Sequence, residues 1–153
     1  MMNISSIYMP NRQQEHKMMI DYLQCEISTW NLANYHFIGQ DSTLVGVNSK
    51  YKNADLLGKY RQDTSNKKAS DIINLAEAYN IYILNTFFGG KRFSTWISFD
   101  GKQRQLQIDH ILATKSSNTI ITDCFTSEIG TSSNRSCLTC KISLKMAIKK
   151  KGK

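Results

Sequence analysis

The stretch from Tyr35 to Gly46, YHFIGQDSTLVG, has the residue types of a small chemical site. A short apolar run reaches Gly39, and the polar residues Gln40, Asp41 and Ser42 follow. The carboxyl end of a strand, followed by small polar residues, is a common place for a metal or a phosphate in α/β enzymes. This turn offers one carboxylate between two neutral side chains. Whether it can be catalytic depends on the residues that the rest of the chain supplies.

A second acid, Asp109, precedes His110 in the alternating segment QIDHIL. Neighbouring side chains on an extended strand point to opposite faces. We therefore expect His110 to serve packing or the surface, on the face away from Asp109. On its residue type alone, Asp109 is a strand-end acid that pairs with a nearby Lys or Arg.

The four cysteines include one C-x-x-C pair, Cys137 and Cys140. One such pair without a second Cys or His pair is a weak zinc signal. It lies in the alternating run CLTCKISL, which is typical of a strand, and we interpret both residues as small buried hydrophobes. The first residues lack the pattern of a secretory signal, so reduced thiols and an intracellular protein, nuclear or cytoplasmic, are expected.

The net charge of +8 and the pI near 9.4 favour a polyanionic partner. Five of the 20 basic residues lie in the segment 145–153, and without them the excess is +3, from 8 minus 5. The basic signal is thus mostly a tail, in which Lys149, Lys150 and Lys151 are the candidate nucleic-acid contacts. The alternative for this tail is a solvated end without a partner. No run of apolar residues is long enough to cross a membrane.

Hydrophobic periodicity predicts the element order β-α-β-loop-α-β-β-β-β-β, which defines an α/β fold. Strands are predicted at 4–8, 35–39, 81–88, 120–125 and 138–148, and helices at 12–31 and 70–79. Asn11 and Ser70 are the predicted N-caps of the helices. Two more strands flank the turn Asp100-Gly101, a strong hairpin signal. A long loop separates the second strand from the second helix.

These pieces, in this order, resemble the endonuclease/exonuclease/phosphatase superfamily. The resemblance is to the form carried by non-LTR (LINE-type) retrotransposons and the craniofacial-development-protein-2-like sequences derived from them. It rests on the segments SIYMPN, FIGQDSTLVG, LLGKY, LAEAYNIYILNTFF, FSTWISFDGKQRQLQIDHILAT and KISLK. It implies the C-terminal part of a four-layered αββα sandwich with mixed and antiparallel sheets, occupying 1–145 and incomplete at its N-terminus. A basic disordered tail, 146–153, would follow.

The resemblance also implies a chemistry, because members of this superfamily are phosphodiesterases that cleave DNA with Mg²⁺ or Mn²⁺. Three family positions keep a suitable residue. Tyr8 matches a tyrosine on the phosphate side, Asn11 matches the polar residue after the first strand, and Asp109 matches the acid that orients the catalytic histidine.

Four family positions are degenerate in this chain. Gln40 stands where the family has the aspartate of Gly-Asp-Phe-Asn, and Ser42 stands where it has the asparagine. Asn134 and Arg135 replace the aspartate and histidine of Ser-Asp-His, and an arginine cannot act as a base. Asp41 takes the aromatic position, and strand alternation predicts that it faces away from the site.

The resemblance further implies that the family's Asn and metal-binding Glu precede the matched segments. Loss of the strands that carry them predicts unpaired strand edges and an uncovered apolar face on Ile83, Phe87 and Phe88. No metal or other cofactor is therefore expected to bind this chain.

Three functions remain open at this point. The first is a retrotransposon-derived endonuclease-like domain without activity. The second is a non-catalytic nucleic-acid-binding module that uses the basic tail, with non-specific contact to DNA and no membrane partner. The third is an active phosphodiesterase with a rearranged site built on Asp41 and Asp109.

Overall fold

A mixed four-stranded sheet forms the centre of the computed structural model, which describes residues 1–31, 33–41, 55–60, 67–89, 94–98, 105–129 and 133–144. The strands are β1 (Met2–Tyr8), β2 (Tyr35–Asp41), β3 (Ile81–Ile83) and β6 (Asp109–Thr114). They lie in the order β1-β2-β6-β3, with β1 and β2 parallel and the other two pairs antiparallel. The predicted α/β class is confirmed.

Two helices cover one face of this sheet, α1 (Gln13–Ser28) and α2 (Lys67–Tyr79). Their apolar side chains recur at helical spacing and pack with residues of the sheet in one buried cluster. Leu23 and Ile27 of α1 and Ile72, Ile73, Leu75 and Ala76 of α2 are its buried helical members. Asn80 ends α2 with a φ of 54°, the left-handed conformation that asparagine tolerates after a helix.

A two-stranded antiparallel hairpin covers the other face, formed by β7 (Ile121–Glu128) and β8 (Ser136–Ile142). Ile121 and Ile142 of the hairpin pack against Phe37 and Ala113 of the sheet. The short helix α3 (Lys115–Asn118) connects β6 to β7. The sheet is thus enclosed between helices and a second layer of strands.

A second small antiparallel pair lies beside β6. It consists of β4 (Trp96–Ile97) and β5 (Gln105–Leu106). This pairing confirms the predicted hairpin, although its Asp100-Gly101 turn lies outside the described residues. Trp96 also forms a bridge to Arg135, so β4 reaches the segment that leads into β8.

Several predicted boundaries are wrong, and each error has a local cause. β2 does not end at Gly39 but continues to Asp41, because β1 pairs with its whole length and β6 pairs with it from Phe37 to Asp41. The helix α1 begins at Gln13, after Arg12 and not after Asn11. Ser70 lies inside α2 and does not cap it, since that helix begins at Lys67.

The segment 81–88 is not one strand. After β3 the chain forms a 3-10 helix, Leu84–Thr86. Ile83 is buried, and Phe87 and Phe88 are half-buried, so the predicted uncovered apolar face is not found there. The segment 55–60 covers this region instead: Leu56 O accepts a hydrogen bond from Ile83 N at 3.1 Å. A side chain at Gly58 would collide with the backbone of Thr86, so this close approach requires glycine.

No described helix is long and apolar enough to cross a membrane. The predicted long loop between the second strand and the second helix lies largely outside the described residues, and the tail 146–153 lies wholly outside them. The C-terminal end of the predicted strand 138–148 also lies outside them.

Candidate active site

A row of polar side chains lies on the face that the hairpin covers, where β1 and β2 end and β6 begins. In the sheet register, Tyr8 lies beside Asp41 and Asp41 lies opposite Asp109. Laterally paired residues of a sheet project from the same face. Tyr8 is 59% exposed and both acids are half-buried, so the row lies at an open edge of the sheet.

Asp41 therefore does not face away from the site, and that prediction is wrong. Side chains do alternate along β2, but Asp41 and not Gln40 lies on the face of Asp109, because the strand stays regular through Gly39. Gln40 takes the opposite face, where its neighbours in register are Ile7 and His110. The structure brings Asp41, not the residue at the family's aspartate position, to the side of Asp109.

Arg135 completes the group. Its guanidinium Nη1 lies 3.3 Å from Oδ1 of Asp41 and 3.9 Å from Oδ1 of Asp109. The backbone around it is anchored on both sides, since Ile97 N donates to Asn134 O at 2.8 Å and Ser136 N donates to Thr95 O at 2.9 Å. In these two hydrogen bonds, Asn134 takes part through its backbone carbonyl and not through its side chain. The arginine is held where it bridges two carboxylates.

Thr95 fixes the backbone at Asp109. Its side chain is fully buried, and its hydroxyl oxygen accepts the backbone N–H groups of Ile108 and Asp109, each at 3.0 Å. The hydroxyl also lowers the pKa of the Asp109 carboxyl. The sequence interpretation missed this residue, and its position directly before Trp96 in a predicted hairpin gives no signal of such a role.

Burial raises the pKa of the Asp109 carboxyl above its usual range. The hydrogen bond from Thr95 opposes this rise, the charge of Asp41 adds to it, and the charge of Arg135 opposes it. A hydrogen bond between the two carboxyl groups raises the pKa further.

Gln40 is enclosed on the helix side of the sheet. Only 1% of the residue is exposed, and neither its amide nitrogen nor its amide oxygen has a hydrogen-bond partner in the described part of the chain. A buried amide without partners destabilises a fold. Because this side chain points away from Asp109, Gln40 does not contribute to the acid pair.

His110 also lies on the helix side, as predicted, and it is buried. Its Nδ1 lies 3.3 Å from Nδ2 of Asn85, a second buried polar residue that the sequence interpretation missed. Asn85 Nδ2 donates to the carbonyl of Asp109 at 3.3 Å, and Asn85 Oδ1 accepts the N–H of Ile111 at 3.2 Å. Asn85 therefore fixes the strand on which Asp109 sits.

The remaining candidate residues are Asn11, Ser42 and three lysines of the tail. Asn11 is exposed in the segment between β1 and α1. Ser42 and the tail residues Lys149, Lys150 and Lys151 lie outside the described residues.

Among the described residues, the acid pair does not offer the ligand set of a divalent metal ion. Among the residues that the structure describes, no three His, Cys, Asp or Glu side chains come together as ligands for a metal. Asp41 and Asp109 already share a guanidinium, whose positive charge would repel a second cation. Mg²⁺ prefers an octahedral shell of oxygen ligands, and this pair supplies two carboxylates with their charge already compensated.

This arrangement of helices, mixed sheet and hairpin is similar to part of the α/β sandwich fold of solved endonuclease and exonuclease structures. The structure is similar to the endonuclease domain of TRAS1, a telomere-specific non-LTR retrotransposon. The TM-score is 0.67 and the identity 14%, over 91% of this chain and 56% of that domain.

Two solved structures of NExo are also similar. The 3'-5' exonuclease NExo from Neisseria meningitidis gives a TM-score of 0.63 at 15% identity, over 86% of this chain and 53% of that one. The structure of the 3' phosphatase NExo from Neisseria bound to a product DNA hairpin gives a TM-score of 0.63 at 13% identity. It covers 86% of this chain and 53% of that one. This chain thus spans about half the length of these proteins. Its sequence matches no family model and no curated protein.

Proposed function

We propose that this chain is a retrotransposon-derived endonuclease-like protein that does not hydrolyse phosphodiesters by itself. One observation carries the proposal. The guanidinium of Arg135 lies between the carboxylates of Asp41 and Asp109, where a hydrolase of this fold would need a base or a metal ion.

The chemistry of an arginine supports inactivity. Hydrolysis of a phosphodiester requires a group that takes a proton from water, and stabilisation of the charge that develops on the phosphate. Arginine stays protonated at all physiological pH values, so Arg135 cannot take that proton. The imidazole of His110 lies on the other face of the sheet, which removes it from the acid pair.

An active phosphodiesterase with a rearranged site is the second candidate. It is favoured by the pairing of Asp41 with Asp109 and by the raised pKa of the Asp109 carboxyl. A carboxyl group that keeps its proton can act as a general acid towards a leaving oxygen, while its partner stays ionised. In this candidate Arg135 would bind the phosphate in place of a metal ion.

The two candidates differ in plasmid nicking. The purified chain would be incubated with supercoiled plasmid, and with an oligonucleotide hairpin that carries a 3' phosphate, in Mg²⁺, in Mn²⁺ and in EDTA. The proposal predicts nicking and phosphate release no faster than with the double variant Asp41→Asn, Asp109→Asn.

Nicking that the double variant abolishes would overturn the proposal. If such nicking persists in EDTA, it would support the rearranged site with arginine as the phosphate ligand. If EDTA removes it, the acid pair would bind a metal ion after all.

A further inference from the structure

The hairpin holds two cysteines directly opposite each other. Cys124 of β7 and Cys140 of β8 are partners in the antiparallel register, and both are free thiols in the structure. Cys124 is 3% exposed, whereas Cys140 is half-buried and packs against the cluster that joins hairpin and sheet.

This geometry changes the meaning of the C-x-x-C pair. Residues three apart on a strand are about 10 Å apart along it, and their side chains leave opposite faces. Two cysteines whose Cα atoms are more than about 7 Å apart cannot be bridged without backbone movement. Cys137 is exposed and lies opposite Ser127, so it is not the partner of Cys140.

Directly opposed residues of an antiparallel pair have Cα atoms about 4.5–5.5 Å apart. A disulfide bridges Cα atoms about 4.4–6.8 Å apart. Cys124 and Cys140 therefore stand where a bond forms without breaking the ladder.

We propose that Cys124 and Cys140 form a dithiol site that a hydroperoxide oxidises to an intrachain disulfide across the hairpin. Cys140 is the attacking thiol, because it is the more exposed of the two. The other two cysteines of the chain, Cys25 and Cys137, are exposed and remain thiols.

The protonation of the pair agrees with this order of events. The hydrogen bond from Cys124 lowers the pKa of the Cys140 thiol, against the opposing effect of burial. The same hydrogen bond, together with burial, raises the pKa of Cys124. The thiolate is the nucleophilic form of cysteine.

The reaction has two balanced steps. The Cys140 thiolate attacks the peroxide, an S–O bond forms as the O–O bond breaks, and the leaving oxygen takes up a proton. Cys124 sulfur then attacks the sulfenic acid on Cys140, the S–S bond forms as the S–O bond breaks, and water leaves with the Cys124 proton. The two thiols together lose two electrons and two protons, and hydrogen peroxide becomes two waters.

The test uses the full chain, reduced and then treated with hydrogen peroxide. The intact mass should fall by two hydrogens, two of the four thiols should stop reacting with N-ethylmaleimide, and peptide mapping should join Cys124 to Cys140. The disulfide closes a loop of roughly 15 residues, which should raise the Tm by about 5–10 °C in a reductant-sensitive manner.

The matched variants are Cys137→Ser, which should keep the disulfide and the rise in Tm, and Cys140→Ser, which should lose both. Cys140→Ser replaces a half-buried thiol with a hydroxyl of similar size, and its melt in reductant checks that it folds. A disulfide between Cys137 and Cys140, a disulfide through Cys25, or sulfinic acid on Cys140 without a bridge would each overturn the proposal. So would a chain whose four thiols stay reactive after peroxide.

Discussion

At the scale of the residue, position 40 is the sharpest test of which side chains face the acid pair. Gln40 is buried with two unpartnered polar atoms, on the side of the sheet opposite Asp109. We expect Gln40→Leu to raise the free energy of unfolding by about 1–2 kcal/mol, since it removes groups whose burial without hydrogen bonds is unfavourable.

The matched variant is Gln40→Asp, which restores the residue type of the family's catalytic turn. In this structure it would bury a carboxylate without a partner, and we expect a loss of about 3 kcal/mol or more in urea unfolding at pH 7. If Gln40→Asp is as stable as the wild type, residue 40 faces solvent and the acids, and the observed register of β2 is wrong.

Asp109 makes stability depend on pH. Its pKa is raised in the folded chain from 3.8, so the folded state holds this proton more tightly than the unfolded state. The stabilisation is complete below pH 4 or so and is lost as the pH rises through the folded pKa. The variant Asp109→Asn has no such proton to lose.

We therefore expect the Tm of Asp109→Asn minus that of the wild type to increase as the pH rises from about 4 to 7. Scanning calorimetry across this pH range measures this difference in Tm. The control is Asp123→Asn, which removes another half-buried acid, on the hairpin. A difference that is flat or falls with pH would show that Arg135 compensates Asp109 fully.

At the scale of the element, β1 is an edge strand whose outer side has no partner in the described sheet. Its sequence, MNISSIY, contains no charged residue, and Ile4 is 72% exposed. An uncharged open edge is a template for pairing with another chain. We expect the protein to self-associate as its concentration rises, as measured by multi-angle light scattering.

The variant Ile4→Lys should weaken this association. Met18→Lys is the control, since Met18 is 64% exposed on α1 and the change adds the same charge away from the edge. Equal effects of both variants would assign the association to general charge. A wild-type monomer at all concentrations, with a sharp cooperative melt, would contradict the open edge.

The elements also show how far sequence reasoning reaches. The α/β class follows from the periodicity of apolar residues, and the structure confirms it. The exact order is wrong, because the second strand of the predicted hairpin is divided into β5 and β6, and the helix α3 was not predicted. The phase of β2 could not be predicted, because it is set by hydrogen bonds to β1 and β6, which are distant in sequence.

The segment 81–88 illustrates a second limit. Its aromatic and β-branched residues favour a strand throughout, yet the backbone turns into a 3-10 helix after Ile83. The side chain of Asn85 then makes the hydrogen bonds to Asp109 O and Ile111 N that a continued strand would have made. The strand propensity of the residues does not predict that a side chain, that of Asn85, will take the place of backbone groups in these hydrogen bonds.

At the scale of the whole molecule, the net charge of +8 favours a polyanion. DNA binding through the basic tail stays a prediction, since that tail lies outside the described residues. We expect weak binding to duplex DNA of any sequence that falls steeply with salt, because lysines contact phosphates and not base edges.

Truncation after Leu144 should abolish this binding, as measured by fluorescence anisotropy between 50 and 200 mM salt, a range over which a few lost phosphate contacts change affinity by about 10-fold or more. The control replaces Lys149, Lys150 and Lys151 by Arg, which keeps the charge. Binding that survives both truncation and high salt would place a specific groove in the domain itself.

We infer that Asp41 and Asp109 bind the guanidinium of Arg135 and not a divalent metal ion. Titration of the chain with Mn²⁺, followed by electron paramagnetic resonance of the free ion, tests it most directly. We predict no stoichiometric Mn²⁺ binding by the wild type, and weak binding by Arg135→Ala, in which the acid pair loses its compensating charge. Stoichiometric binding by the wild type that is lost in Asp41→Asn, Asp109→Asn would contradict the account.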